Sequence, residues 1–188
     1  MKRKLFFLIL ILFVLIIDNT AFTVAEGNNF SFNGAKWGMP KEEVRSLFDV
    51  QPGAEPEGNQ PGQTGLIYLT KIKGYSVLIQ FCFLTDIGLY NIEFMGIEDG
   101  EKELYDLLRD SFTEEYGVPI SVAEIDECNS DDPAAQMILF FMNSTSDTDY
   151  LGWNADPETV IIMSREENFH TTYVEMRAYK YFFDGTIQ

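Results

Sequence analysis

Alternating and clustered apolar positions divide the chain into segments that predict its strands. Runs rich in β-branched and aromatic residues are typical of strands that bury one or both faces. Short turn-forming sequences around Gly74 and between Thr85 and Gly88 separate three successive runs, which indicates a meander. The predicted strands cover residues 30–32, 66–73, 76–84, 88–96, 136–142, 159–164 and 171–181.

The second strand of this meander is apolar on both faces, because side chains on a strand point alternately to opposite sides. One face carries Val77, Ile79, Phe81 and Phe83, and the other carries Leu78, Cys82 and Leu84. The pattern predicts a central strand that is covered on both sides. The last strand alternates in the same way, with Thr172, Val174 and Met176 against Tyr173, Glu175 and Arg177.

Two segments have the period of an amphipathic helix. The longer covers residues 101–116, and Gly117, as a left-handed cap, and Pro119 end it. Its apolar stripe consists of Leu104, Leu107, Leu108, Phe112 and Tyr116. The shorter begins with Pro40 at its first position, followed by acidic residues that favour a helix start. Its apolar stripe consists of Val44, Leu47 and Phe48, and we expect Trp37 to pack against the sheet just before it.

The order of these elements predicts an α+β fold in which two helices pack on an antiparallel sheet of about six strands. Polar or Pro- and Gly-rich segments at 51–65, 121–135 and 143–157 are interpreted as loops. A helix followed by three strands occurs twice, which suggests two αβββ units at about residues 30–97 and 98–182 within one domain, 26–188.

The N-terminal residues 1–25 have the pattern of a secretory signal peptide. Lys2, Arg3 and Lys4 precede thirteen apolar residues, and small residues at Thr23 and Ala25 mark a cleavage site. The alternatives are a buried helix or an uncleaved anchor, although thirteen residues are short for a membrane span. We therefore expect a secreted or envelope protein that is not inserted in the membrane after cleavage.

The strongly negative net charge and the single His of the chain argue against several classes of function. The chain has 13 Lys and Arg against 30 Asp and Glu, for a net charge of −17. Cleavage after Ala25 would remove three basic residues and one acid, which leaves −19. Such a chain is not expected to bind nucleic acid, since phosphate binding needs clustered basic residues. Its single His excludes metal sites that need two or more imidazoles. We predict no cofactor.

Several short motifs resemble those of a loose group of exported bacterial proteins of unknown function. They are Phe32 with Trp37-Gly38-Met39-Pro40 and Val44, Gly88-Leu89-Tyr90 with Ile92 and Phe94, Phe112 with Tyr116, Gly117 and Pro119, and Trp153 with 159–162. The group is similar in layout to beta-lactamase-inhibitory proteins and to small outer-membrane-assembly lipoproteins, which are protein-binding αβ modules. This resemblance implies a tandem αβ fold that binds a protein. The chain departs from the lipoproteins because it has no Cys near the cleavage site.

The two cysteines, Cys82 and Cys128, leave two alternatives open. Export would expose them to oxidising conditions, where a disulfide between them would stabilise the fold by roughly 3–4 kcal/mol in the chain-entropy model. Alternatively, Cys82 is buried beside its aromatic neighbours and Cys128 is free in a loop. His170 lies in a polar connection, and its spacing gives no support for a nucleophile–base pair.

A partial calcium-loop pattern runs from Asp147 through Asp149 to Glu158. Leu151 occupies a position that needs an oxygen ligand, so we predict a solvated loop and no specific metal site there. No catalytic motif is present. The sequence therefore favours a non-enzymatic binding module with an extracellular or envelope protein as partner. The alternative is a carboxylate-dependent hydrolase, calcium-assisted or not, that acts on an extracellular polymer.

Overall fold

Three helices pack against a seven-stranded antiparallel sheet in the computed structural model, which describes residues 32–97, 101–125, 131–142, 148–166 and 171–178. The helices are α1 (Lys41–Ser46), α2 (Glu101–Tyr116) and α3 (Pro133–Met142). The strands are β1 (Gln63–Ile72), β2 (Tyr75–Leu84), β3 (Gly88–Gly96), β4 (Ile120–Ser121), β5 (Thr148–Asp156), β6 (Thr159–Glu166) and β7 (Thr171–Ala178). The predicted α+β class is confirmed.

The sheet consists of two meanders that meet in its middle. Its strand order is β1-β2-β3-β7-β6-β5-β4, so β3 and β7 are neighbours although they end different parts of the chain. Ile92 lies opposite Met176 and Phe94 opposite Val174 across this central pairing. Both meanders are antiparallel, and the short turns within the first one agree with the sequence prediction. The internal duplication itself stays a prediction.

One face of the sheet, here called the α1/α2 face, carries the main core. Val44 of α1 and Leu104, Leu108 and Phe112 of α2 are buried against it. Trp153 of β5 is also buried, and its indole N–H donates to the Gly117 carbonyl oxygen over 3.1 Å. Helix α2 has the predicted bounds, and its buried stripe is confirmed. Helix α1 begins one residue later than predicted, because Pro40 is its N-cap residue and not its first helical residue. It ends at Ser46, so Leu47 of the predicted apolar stripe lies beyond the helix and is 39% exposed.

The opposite face, here called the α3 face, carries a helix where the sequence predicted a strand. The prediction of a strand at 136–142 is wrong, because this segment belongs to α3. The Asp132 carboxylate caps the helix by accepting from the Ala134 N–H over 2.8 Å, and Pro133 occupies the first helical position. Asp132 and Pro133 are a typical helix start, but the sequence interpretation gave more weight to the apolar run that follows them, which resembles a strand.

The prediction of a loop over 143–157 is also wrong for the residues that the structure describes. Strand β5 runs through most of that segment and pairs with β6 along its length. Gly152, in the middle of β5, lets α3 approach the sheet closely. A Cβ atom there would lie 3.0 Å from both Ala134 Cβ and Ile138 Cδ1. The polar and glycine residues that suggest a loop therefore belong to a strand under a helix.

A substitution at Gly88, the first residue of β3, tests how much the contact between the chain before α1 and the sheet stabilises the fold. The Gly38 N–H donates to the Leu89 carbonyl oxygen, the Leu89 N–H donates to the Met39 carbonyl oxygen, and Gly88 has a φ of +83°. A Cβ at Gly88 would lie 2.3 Å from the Gly38 carbonyl oxygen, so we expect Gly88→Ala to lower the free energy of unfolding by about 2–3 kcal/mol. Urea denaturation of the purified protein measures the change.

Gly117 provides the matched control, because its φ of +89° is similar but a Cβ would meet nothing within 4 Å. Its positive φ also confirms the predicted left-handed cap of α2. Gly117→Ala should therefore cost only the conformational strain, about 1 kcal/mol. Equal losses for the two variants would contradict a steric origin at Gly88.

Candidate functional site

The α3 face is covered over only part of the sheet. Helix α3 packs on β5 and β6, where Met137 and Ile138 contact Tyr150, Val160 and Ile162. Among the described residues, no helix covers the same face of β1, β2 and β3. We call this uncovered area the open part of the α3 face. Leu69 of β1 is 65% exposed there and Met95 of β3 is 39% exposed, whereas Cys82 and Asn91 on the same face are each 3% exposed.

The strand register orders the side chains of this face into rows. Leu69, Leu78, Met95 and Tyr173 lie opposite one another on β1, β2, β3 and β7. We call the first three residues the apolar strip. The next rows are polar, with Gln80, Glu93 and Glu175 in one and Cys82, Asn91 and Arg177 in the other. These six residues together with Tyr173 form what we call the polar cluster.

An asparagine amide joins the two carboxylates of the polar cluster. Asn91 Nδ2 donates to Glu93 Oε1 and to Glu175 Oε1, each over 2.8 Å. Both oxygens therefore lie within twice that distance of each other. Glu175 is only 2% exposed and accepts a second hydrogen bond from Arg177 Nε over 2.5 Å, while Arg177 Nη2 completes an ion pair with the same oxygen. The Arg177 guanidinium also stacks over Phe141 of α3, 4.8 Å from the ring centre.

The surroundings of the polar cluster raise the pKa values of Glu175 and Tyr173. Burial raises the pKa of Glu175, and the nearby charge of Glu93 raises it further, although Arg177 opposes both effects. Burial also raises the pKa of the Tyr173 hydroxyl, with further contributions from the two glutamates and from its hydrogen bond to Glu93. Tyr173 therefore remains a neutral donor to Glu93 at neutral pH.

Cys82 lies inside this cluster as a buried, free thiol. Its Sγ accepts from Gln80 Nε2 over 3.3 Å and donates to Glu93 Oε1 over 3.7 Å. Burial, followed by the Glu93 charge, raises the pKa of the thiol, so it is protonated and a poor nucleophile at neutral pH. Cys128 lies outside the described residues, so the disulfide and the alternative of two free thiols both stay predictions.

The raised pKa of Glu175 gives a pH dependence whose sign can be measured. The folded protein binds this proton more tightly than the unfolded chain, so the stabilising contribution is present below about pH 4.5 and is lost as the pH rises through the folded-state value. We expect the free energy of unfolding of the wild type, relative to Glu175→Gln, to fall from pH 4 to pH 8. Urea titrations of both proteins across this range measure the difference, in which the titrating groups that do not interact with Glu175 cancel. A difference that grows with pH would contradict the assignment.

The other residues predicted from sequence do not come together. Asp149 lies near the start of β5 and Glu158 in the turn after its end, with roughly 20 Å of extended strand between them. An extended strand cannot wrap around one ion as a calcium loop does. Asp147 and His170 lie outside the described residues. In the ranges that the structure describes, no three His, Cys, Asp or Glu side chains are grouped as metal ligands.

The sequence interpretation missed Asn91 and Glu93 as site residues. A usable signal was present in β3, where both residues alternate with Ile92 and Phe94 of the core and so face away from it. The same alternation placed Glu175 and Arg177 on one face of β7. The missing information was that β3 and β7 are neighbours.

A scan against protein-family models and searches of curated proteins and solved structures found no match to the chain. The motif resemblance therefore stays a prediction. In the described part of the chain, no helix is both long and apolar enough to cross a membrane.

Proposed function

We propose that the chain is an exported, non-enzymatic module that binds a protein partner in the cell envelope or outside the cell. The observation that carries this proposal is the group of exposed apolar side chains on one side of the molecule. Leu69 and Met95 lie on the open part of the α3 face, and Leu139, Phe140 and Met142 are at least 38% exposed on the adjoining α3. Exposed apolar patches of this kind mark interaction surfaces.

The charge of the chain supports a partner other than a second copy. At −17, copies of the chain repel one another, whereas a partner of opposite charge is attracted from a distance. Export is supported by the pattern of residues 1–25, which lie outside the described residues.

The hydrolase alternative is favoured by one observation, the Glu93–Glu175 pair. A buried carboxyl with a raised pKa next to a second carboxylate resembles the acid and nucleophile of a glycosidase. That chemistry needs the substrate bond between the two groups. Here the Asn91 amide occupies the space between them and donates to both, and Glu175 is 2% exposed. The geometry therefore supports binding better than hydrolysis.

Affinity capture with surface variants tests the proposal. The wild-type chain without residues 1–25 is used as bait in envelope and secreted fractions of its own organism, beside Met95→Asp and Val118→Asp. Val118 is 85% exposed near the end of α2 and is the matched control. We expect a stoichiometric protein partner that wild type and Val118→Asp retain and Met95→Asp loses. A partner retained equally by all three, or turnover of a polysaccharide by the purified protein, would contradict the proposal.

A further inference from the structure

We propose that the bound partner segment presents a lysine or arginine between apolar side chains, and that Glu93 receives this basic group. The inference rests on the proposed function, since it names the chemistry of the partner at the same surface. It follows from three features of the polar cluster: its charge balance, an acceptor that lacks a donor, and its position beside the apolar strip.

The first feature is a negative charge that no described cation balances. The Arg177 guanidinium pairs with Glu175. Glu93 contacts the Asn91 amide, the Cys82 thiol and the Tyr173 hydroxyl, all of which are neutral donors. Among the described residues, no Lys or Arg forms an ion pair with Glu93. A half-buried carboxylate in this position attracts a cation.

The second feature is an excess of acceptors over donors. Asn91 is 3% exposed, and its Oδ1 atom is buried and has no hydrogen-bond partner among the described residues. Buried polar atoms are nearly always paired, so this oxygen marks a place where a donor is missing. A lysine ammonium carries three donors and no acceptor, and an arginine guanidinium carries five. Either group supplies both the charge and the donors that the cluster lacks.

The third feature is the position of Glu93 beside the apolar strip. Met95 follows two residues later on the same face of β3, about 7 Å along the strand. Leu78 lies opposite Met95, and Tyr173 flanks it on the other side. A basic side chain that reaches Glu93 would lay its methylene stem along these apolar groups. Apolar residues next to it in the partner would then contact Leu69 and Met95.

Pools of blocked, fluorescently labelled heptapeptides test the inference. Each pool has a fixed central residue, Lys, Arg, Gln or Glu, and random residues elsewhere, and fluorescence anisotropy measures binding. We expect the Lys and Arg pools to bind the wild type about tenfold more tightly than the Gln pool. The preference should shrink at high salt, because the charge pair at the half-buried Glu93 is in part accessible to solvent and is screened by ions.

Glu93→Gln is the decisive variant, because glutamine keeps the Oε1 acceptor for Asn91 while removing the charge. We expect it to abolish the preference for basic pools. Glu114→Gln, at an exposed position of α2, is the matched control and should leave the preference unchanged. Thermal melting of each variant confirms folding, and Glu93→Asp, which keeps the charge, should restore part of the preference if Glu93→Gln melts early.

The outcomes separate this inference from the proposed function. If all pools bind equally and Met95→Asp abolishes binding, the surface binds partners but the inference is overturned. If no pool binds, the partner recovered by affinity capture is used as the ligand instead of the peptides. The inference is then overturned if Glu93→Gln changes the affinity for that partner by less than twofold. If neither peptides nor a Met95-dependent partner binds, both proposals fail.

Discussion

Leu108→Asp should unfold the protein at room temperature or lower its free energy of unfolding by more than about 4 kcal/mol. Leu108 is 3% exposed and packs from α2 onto the main core. Aspartate would place a charge among the apolar side chains of the main core. Domains of this size have only about 5–15 kcal/mol of stability to lose. Circular dichroism and urea denaturation measure the effect.

Lys102→Asp is the matched control, because Lys102 is exposed in the first turn of the same helix. A carboxylate near a helix N-terminus is favourable, so we expect a change within about 0.5 kcal/mol. If Leu108→Asp melts like the wild type, the buried stripe of α2 has been assigned to the wrong face.

Glu175→Ala should lower the free energy of unfolding by roughly 3–5 kcal/mol. The substitution removes the carboxylate oxygen that accepts from both Asn91 and Arg177. Arg177 would keep its position, 16% exposed at the side chain, without this acceptor. Breaking a buried ion pair from one side is costly because the remaining charge stays desolvated. Urea denaturation at neutral pH gives the value.

The double variant Glu175→Met with Arg177→Met provides the control. Replacing both partners by apolar side chains also removes the Arg177 charge, so we expect the double variant to be at least 2 kcal/mol more stable than Glu175→Ala. A double variant as unstable as Glu175→Ala would show that the loss comes from packing at β7 and not from the ion pair.

Local sequence patterns predicted much of this fold because they act over short distances. Helix α2 has a regular apolar period and ends at Gly117, so both its face and its bounds could be predicted. Helix α3 was mistaken for a strand because the run from Met137 to Met142 is apolar throughout and too short to show a period. Strand β5 was missed because Gly152 and its polar neighbours resemble a turn, although Gly152 serves the packing of α3.

The candidate site could be predicted only in part. Alternation along β7 assigned Glu175 and Arg177 to one face, but no local signal states which strand lies beside it. Asn91 and Glu175 are 84 positions apart in the chain and meet only through the pairing of β3 with β7. Such pairings depend on how the two meanders fit together, which a single sequence does not show.

The pairing of β3 with β7 divides the polar cluster between two halves of the chain. Asn91 and Glu93 come from the first meander, and Glu175 and Arg177 come from the second. If the chain were cut between residues 97 and 101, each fragment would carry half of the cluster, and complementation of the fragments would rebuild it. A ligand that binds only the assembled cluster would stabilise the association of the two fragments, because its binding free energy adds to that of their association. Protection of the β3 and β7 amides from hydrogen exchange would then report occupancy of the site.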